Sequence, residues 1–218
     1  MDRATKAAET VRLLKKLYPD ATCTLDFGEP WQLLVSAILA AQCTDERVNR
    51  VTPALFARYP DLAALATAET SDLEDLIHSC GLFRNKARAI QGASRLLLER
   101  NQGRIPDSLE ALTALPGIGR KIANLILGDC FGIPAIVVDT HCARISRLIG
   151  LTDATDPAAI ERDLAACVTP ADWIVFGHLM VSHGRAICQA NRPVCSCCPL
   201  RGFCDYAALR ASAGTQPS

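Results

Sequence analysis

The sequence predicts an all-α protein, and three observations carry that expectation. Half of the 218 residues are apolar while only 5% are aromatic, and Ala and Leu recur throughout. That composition favours helices over sheets. Apolar residues return at helical spacing in one segment after another, and no stretch alternates convincingly as a strand; the best candidate, "IPAIVVD" at 133–139, is short.

The elements follow in order, each with its own start or stop. "EPWQLLVSAILAAQ" (29–42) is apolar at helical spacing, and "DERVNRVTPALFARY" (45–59) follows with Thr44 or Asp45 as its cap. "SDLEDLIHSCG" (71–81) opens on Ser71, carries acids in its first turn and closes at Gly81. "NKARAIQGASRLLLERNQG" ends at Gly103, and "DSLEALTALPG" begins at Asp107 or Ser108. Beyond a glycine-rich turn come "DTHCARISRLIG", "DPAAIERDLAACV" and "PADWIVFGHLMVSHGRAIC". No internal repeat stands out, and the last residues, "SAGTQPS", read as disordered. The longest apolar run, "LLVSAILAA", falls well short of the roughly 18 residues that span a bilayer. The N-terminus is charged and lacks an apolar signal core, so a cytosolic protein is expected.

Formal net charge is zero, which excludes a global electrostatic footprint for nucleic acid. The charge is segregated, however. Arg84, Lys86, Arg88, Arg95, Arg100 and Arg104 stand against the single acid Glu99, whereas the charges of 61–75 are all acidic. Such a basic segment suits a local phosphate-binding face, and an ordinary solvated helix face explains it equally well.

Eleven cysteines are many for a reducing compartment, where metal ligation, catalysis or burial explains them better than disulfides. Cys188, Cys195, Cys198 and Cys204 are spaced C-x6-C-x2-C-x5-C, and four thiolates so close together can converge on one metal centre. Thiolates suit Zn²⁺ or an iron–sulfur cluster. The gaps match neither paired zinc knuckles nor the run of two-cluster ferredoxins. Spacing alone leaves the choice between Cys197 and Cys198 open.

"EALTALPGIGRKIANLIL" (110–127) reads as helix, Gly-x-Gly turn and helix. Gly117 and Gly119 are expected to allow positive φ and close backbone approach, making the turn and the following helix N-terminus a phosphate site. Ile118, Ile122, Leu125 and Ile126 should form the buried face, with Lys121, Asn124 and Gly128 as a separate polar and small-residue stripe. Lys121 is then a surface charge, a phosphate contact or a nucleophile. Downstream, Asp139 in "IVVDTH" precedes a helix and reads first as an N-cap. A lysine nucleophile must be deprotonated, so a nearby carboxylate fits proton handling or cation stabilisation better than lysine activation.

Taken together, the hairpin with Lys121, Asp139 in "VDTH" and the four-cysteine array resemble endonuclease III, a bifunctional branch of the helix-hairpin-helix DNA glycosylases. "LLVSAILAAQCTDERVN" and "CGLFRNKA" belong to the same resemblance, which spans about residues 5 to 210. It implies two helical domains with DNA bound in a cleft between them. A six-helix barrel would cover 23–133, an iron–sulfur domain 1–22 plus 134–210, and a disordered tail 211–218. It implies a [4Fe–4S] cluster on Cys188, Cys195, Cys198 and Cys204, with Cys197 a bystander. Lys121 would be the nucleophile and Asp139 its catalytic partner, acting on oxidised pyrimidines and abasic sites in duplex DNA. Gln42 would fill the space left by the flipped base and Leu82 would wedge into the opposite strand, while Gly117, Gly119, Arg120, His141 and Arg192 would also contact DNA. The protein would act as a monomer in the bacterial cytosol and nucleoid. Two departures from the family stand out: the neutral net charge and Cys142, where an aliphatic residue is usual. A monofunctional glycosylase of the same superfamily and a non-catalytic helix-hairpin-helix DNA-binding protein are the alternatives, and Lys121 argues against both.

Overall fold

The computed structural model describes residues 1–213, and among these all regular structure is helical. The helices are α1 (Arg3–Leu17), α2 (Pro30–Leu39), α3 (Asp45–Arg58), α4 (Leu62–Thr67), α5 (Thr70–Ile77), α6 (Phe83–Asn101), α7 (Leu109–Thr113), α8 (Arg120–Phe131), α9 (Thr140–Ile149), α10 (Pro157–Cys167), α11 (Trp173–Ala186) and α12 (Asp205–Ala213). Short 3-10 turns lie at His78–Cys80, Pro170–Asp172 and Cys195–Cys197. The stretch 133–139 forms no strand. α12 runs three residues into the segment expected to be a disordered tail from 211, and the rest of that segment, 214–218, lies outside the described residues.

The chain divides into two units: Cys23–Phe131, and Met1–Thr22 with Gly132 onward. In the first unit α2 is the central element. Residues Leu33 to Leu39 are all buried, the signature of a helix enclosed on every side. α3, α6 and α8 pack against it, and α6 also carries α4 and α5 on its flank. α6 presents Ala87, Ile90, Ala93 and Leu97 to this core and turns Arg84, Arg88, Arg95 and Arg100 outward. Lys86 breaks the pattern, because its side chain is buried.

Capping sets several boundaries. Thr44 accepts from Arg47 N, Ser108 from Ala111 N and Asp156 from Ala159 N, each satisfying a first-turn amide. The helix expected from Ser71 instead starts at Thr70, after Glu69.

The second unit packs α1 against α10 and α11, and α9 against α11 and α12. Its core includes Leu14, Ile136, Ile145, Ile149, Leu164, Phe176 and Met180. Cys142 belongs to it, fully buried, and burial holds its thiol far above the usual range. A thiol that stays protonated is a small apolar side chain. The departure at Cys142 is thus a packing substitution within α9. Among the described residues no helix is long and apolar enough to cross a membrane.

Candidate functional site

The hairpin is built in the first unit. α7 ends at Thr113, Ile118 N donates to Leu115 O across the turn, and α8 begins at Arg120. Gly117 has φ +78°, and a Cβ there would lie 2.8 Å from Ala89 Cβ. Gly119 differs from expectation. Its φ is not positive, a Cβ would meet nothing within 4 Å, and its carbonyl accepts the first helical bond of α8, from Ala123 N. Gly119 therefore acts as the N-cap of α8, and only Gly117 needs glycine for its conformation. Gly117→Ala should lower stability by about 2 kcal/mol, from left-handed strain and the clash with Ala89. Gly119→Ala should cost less than about 1 kcal/mol. Urea unfolding midpoints of the two variants check this.

Arg120 and Lys121 occupy the first two positions of α8 and are both exposed. Amides in that first turn lie outside the helical ladder and favour an anion. The stripe expected with Lys121 does not form: Asn124 and Gly128 are buried, together with Ala123, Ile126 and Leu127, while Ile122 and Leu125 are only half-buried. Lys121 projects from α8 away from that face.

Two other predicted DNA contacts share an unusual backbone. Gln42, past the end of α2, has φ +54°, and Leu82, immediately before α6, has φ +47°. Left-handed backbone is uncommon outside glycine and costs on the order of 1 kcal/mol or more. Both residues are exposed, Leu82 to 53%. Behind Leu82, the ring of Phe83 packs 4.5 Å from that of His78, and the Arg84 guanidinium lies 5.3 Å from the Phe83 centroid.

In the second unit Asp139 is the N-cap of α9, its Oδ1 accepting from Cys142 N at 2.7 Å. His141 follows in the first turn of α9, half-buried; a Cβ on Gly184 would come within 2.2 Å of its Nδ1, so glycine in α11 makes room for this ring. Arg192 is exposed in the loop between Cys188 and Cys195.

Cys188, Cys195, Cys198 and Cys204 line one pocket, walled by Leu148, Pro193 and Tyr206. Burial pushes the Cys198 thiol up to about 11, and the thiols of Cys188, Cys204 and Cys195 add to the effect. Cys197 does not line the pocket; it is exposed, with its Sγ donating to Val194 O. Among the described residues no three His, Cys, Asp or Glu side chains converge as a single-ion site. Neighbours missed in the sequence support the pocket. Arg144 donates to Cys188 O at 2.6 Å, and Cys204 Sγ donates to Leu148 O at 3.3 Å. His183 bridges Tyr18 Oη at 3.3 Å and Cys198 Sγ at 3.5 Å. Burial, then Arg144, depresses the His183 pKa to about 4, leaving the imidazole neutral. The sequence marks His183 only by its place near the end of the helix that leads to Cys188, five residues ahead of that cysteine.

Residues 35–170 match the HhH-GPD superfamily base excision DNA repair protein family. Over 203 residues, 93% of each chain, the sequence is 53% identical to endonuclease III of Synechocystis. Over 202 residues it is 35% identical to endonuclease III of Escherichia coli, covering 92% of this chain and 95% of the other. The chain belongs to the endonuclease III family. Its fold superposes with a TM-score of 0.92, at 35% identity over 97% of this chain and 99% of the other, on an endonuclease III trapped as a covalent intermediate with DNA. A non-covalent endonuclease III–DNA complex matches equally well. A thermostable thymine-DNA glycosylase shares the fold with a TM-score of 0.86 at 19% identity.

Proposed function

We propose that the chain is a bifunctional DNA glycosylase and AP lyase that removes oxidised pyrimidines from duplex DNA and cuts the strand 3′ to the abasic site. The observation that carries this reading is Lys121, exposed at the start of α8 beyond the glycine turn. It stands in a chain similar along 97% of its length to an endonuclease III caught covalently on DNA.

A base stacked inside a duplex is out of reach, so it must be extruded, at a cost of a few kcal/mol that is smallest for a damaged base. Gln42 and Leu82, held outward on left-handed backbone, take up the space in the stack. The amides of the hairpin and the start of α8, with Arg120 and Arg192, hold backbone phosphate. The Lys121 amine attacks C1′; the C1′–N bond breaks and the base leaves with a proton. Asp139 handles that proton transfer. Loss of the ring oxygen from C1′ leaves an imine between Lys121 and the opened sugar. The imine acidifies C2′–H; removal of that proton expels the 3′ phosphate, and water later releases Lys121.

Cys188, Cys195, Cys198 and Cys204 would hold a [4Fe–4S] cluster. Four thiols lining one pocket supply the four thiolate ligands that such a cluster takes. When bound, the cluster cross-links the 188–204 segment. Purified protein should be brown with a broad visible absorption; Cys195→Ser should lose the colour and Cys197→Ser keep it. A colourless, zinc-loaded protein overturns the assignment.

The activity is tested by borohydride trapping on duplexes carrying thymine glycol or an abasic site. A covalent enzyme–DNA adduct is expected on both, and no adduct on either refutes the reading.

A further inference from the structure

Lys86 is the one member of the basic segment turned inward, 4% exposed in the first turns of α6. Its ammonium donates to Leu39 O at 2.8 Å and to Cys80 O at 2.8 Å. Leu39 closes α2 and Cys80 closes the 3-10 turn His78–Cys80. Both carbonyls are thus helix-end acceptors with no ladder partner ahead of them, where a cation is favoured. Three residues beyond Leu39 the chain reaches Gln42, and two beyond Cys80 it reaches Leu82, two of the three non-glycine residues with left-handed backbone among the described residues, Gln102 at the far end of α6 being the third. One buried ammonium therefore anchors the roots of both strained segments. At the start of α6 the backbone amides of Asn85 and Lys86 both donate to Leu82 O at 3.1 Å, the opening bonds of the helix, so Leu82 is also its N-cap. Left-handed backbone at Gln and Leu persists only where the surroundings enforce it; beside this ammonium, a side-chain hydrogen bond between Cys43 and Cys80 links the same two segments.

We propose that Lys86 is a positioning residue for base extrusion, tying the α2 end and the 3-10 turn to a single ammonium so that Gln42 and Leu82 enter the duplex together. The inference rests on the reading that these two side chains insert into DNA. Its consequence is selective: Lys86 matters where a stacked, paired nucleotide must be expelled, and little where the nucleotide is already unpaired, because extrusion there costs less.

The test uses the full-length protein with Lys86→Met, which keeps the length and removes the donors, and Lys86→Gln, which keeps an amide donor. Each is compared with wild type by borohydride trapping on an abasic site in a fully paired duplex and on the same strand unpaired. Lys86→Met should lose about 10-fold or more on the duplex and change by less than about 2-fold on the unpaired strand, with Lys86→Gln between it and wild type. Equal losses on both DNAs, or no loss on the duplex, overturn the proposal. Should Lys86→Met fail to fold by circular dichroism, Lys86→Gln carries the same comparison. A 2-aminopurine beside the lesion reads extrusion without chemistry, so wild type that extrudes the base yet traps no adduct faults Lys121 and leaves Lys86 standing.

Discussion

Replacing Lys121 with Gln should abolish the borohydride-trapped adduct and reduce strand cleavage by at least about 10³-fold, because the proposed mechanism forms its imine on this amine. Lys121 is exposed and contributes nothing to the buried face of α8, so the unfolding midpoint should stay within about 0.5 kcal/mol of wild type. Binding to abasic duplex should persist, since the hairpin amides and Arg120 remain. Gel-resolved trapping, cleavage rates and a binding isotherm on one DNA separate the three quantities. An undiminished adduct in Lys121→Gln places the nucleophile elsewhere. Loss of binding in step with loss of the adduct makes Lys121 a phosphate contact.

What could be read in advance was whatever local chemistry decides. Thr44, Ser108 and Asp139 were recognisable as caps because the bond each makes lies within its own first turn. The hairpin glycines were visible as a turn, but not their division of labour: Gly117 is fixed by Ala89, a residue on another helix, whereas Gly119 only opens α8. α4 escaped notice because six residues make too short a window for a helical period. The α2 segment expected to run to Gln42 ends at Leu39, because the chain there turns to left-handed backbone for a reason held in Lys86, 47 residues downstream. Lys86 itself was grouped with exposed arginines, since pattern assigns any lysine to solvent. Only the carbonyls that converge on it make burial favourable, and these come from tertiary structure. The same holds for Asn124 and Gly128: a polar and a small residue suggested an open stripe, and packing buried both.

Asp139 poses the sharpest choice between structure and chemistry, and two substitutions divide the roles. Its Oδ1 caps α9 through Cys142 N at 2.7 Å, a bond an asparagine oxygen can replace. Asp139→Asn should therefore keep stability within about 0.5 kcal/mol while base removal falls by about 10²- to 10⁴-fold, the range for loss of a proton-transfer group. Asp139→Ala should show the same fall in rate plus about 1 kcal/mol of lost stability from the missing cap. Single-turnover rates on thymine glycol DNA and unfolding midpoints for both variants measure the two effects independently. A full rate in Asp139→Asn with a loss only in Asp139→Ala would reduce Asp139 to a cap. The expected order, cap preserved and chemistry lost, follows from the charge: the amide offers Cys142 the same acceptor but takes up no proton at neutral pH, and the departing base needs one.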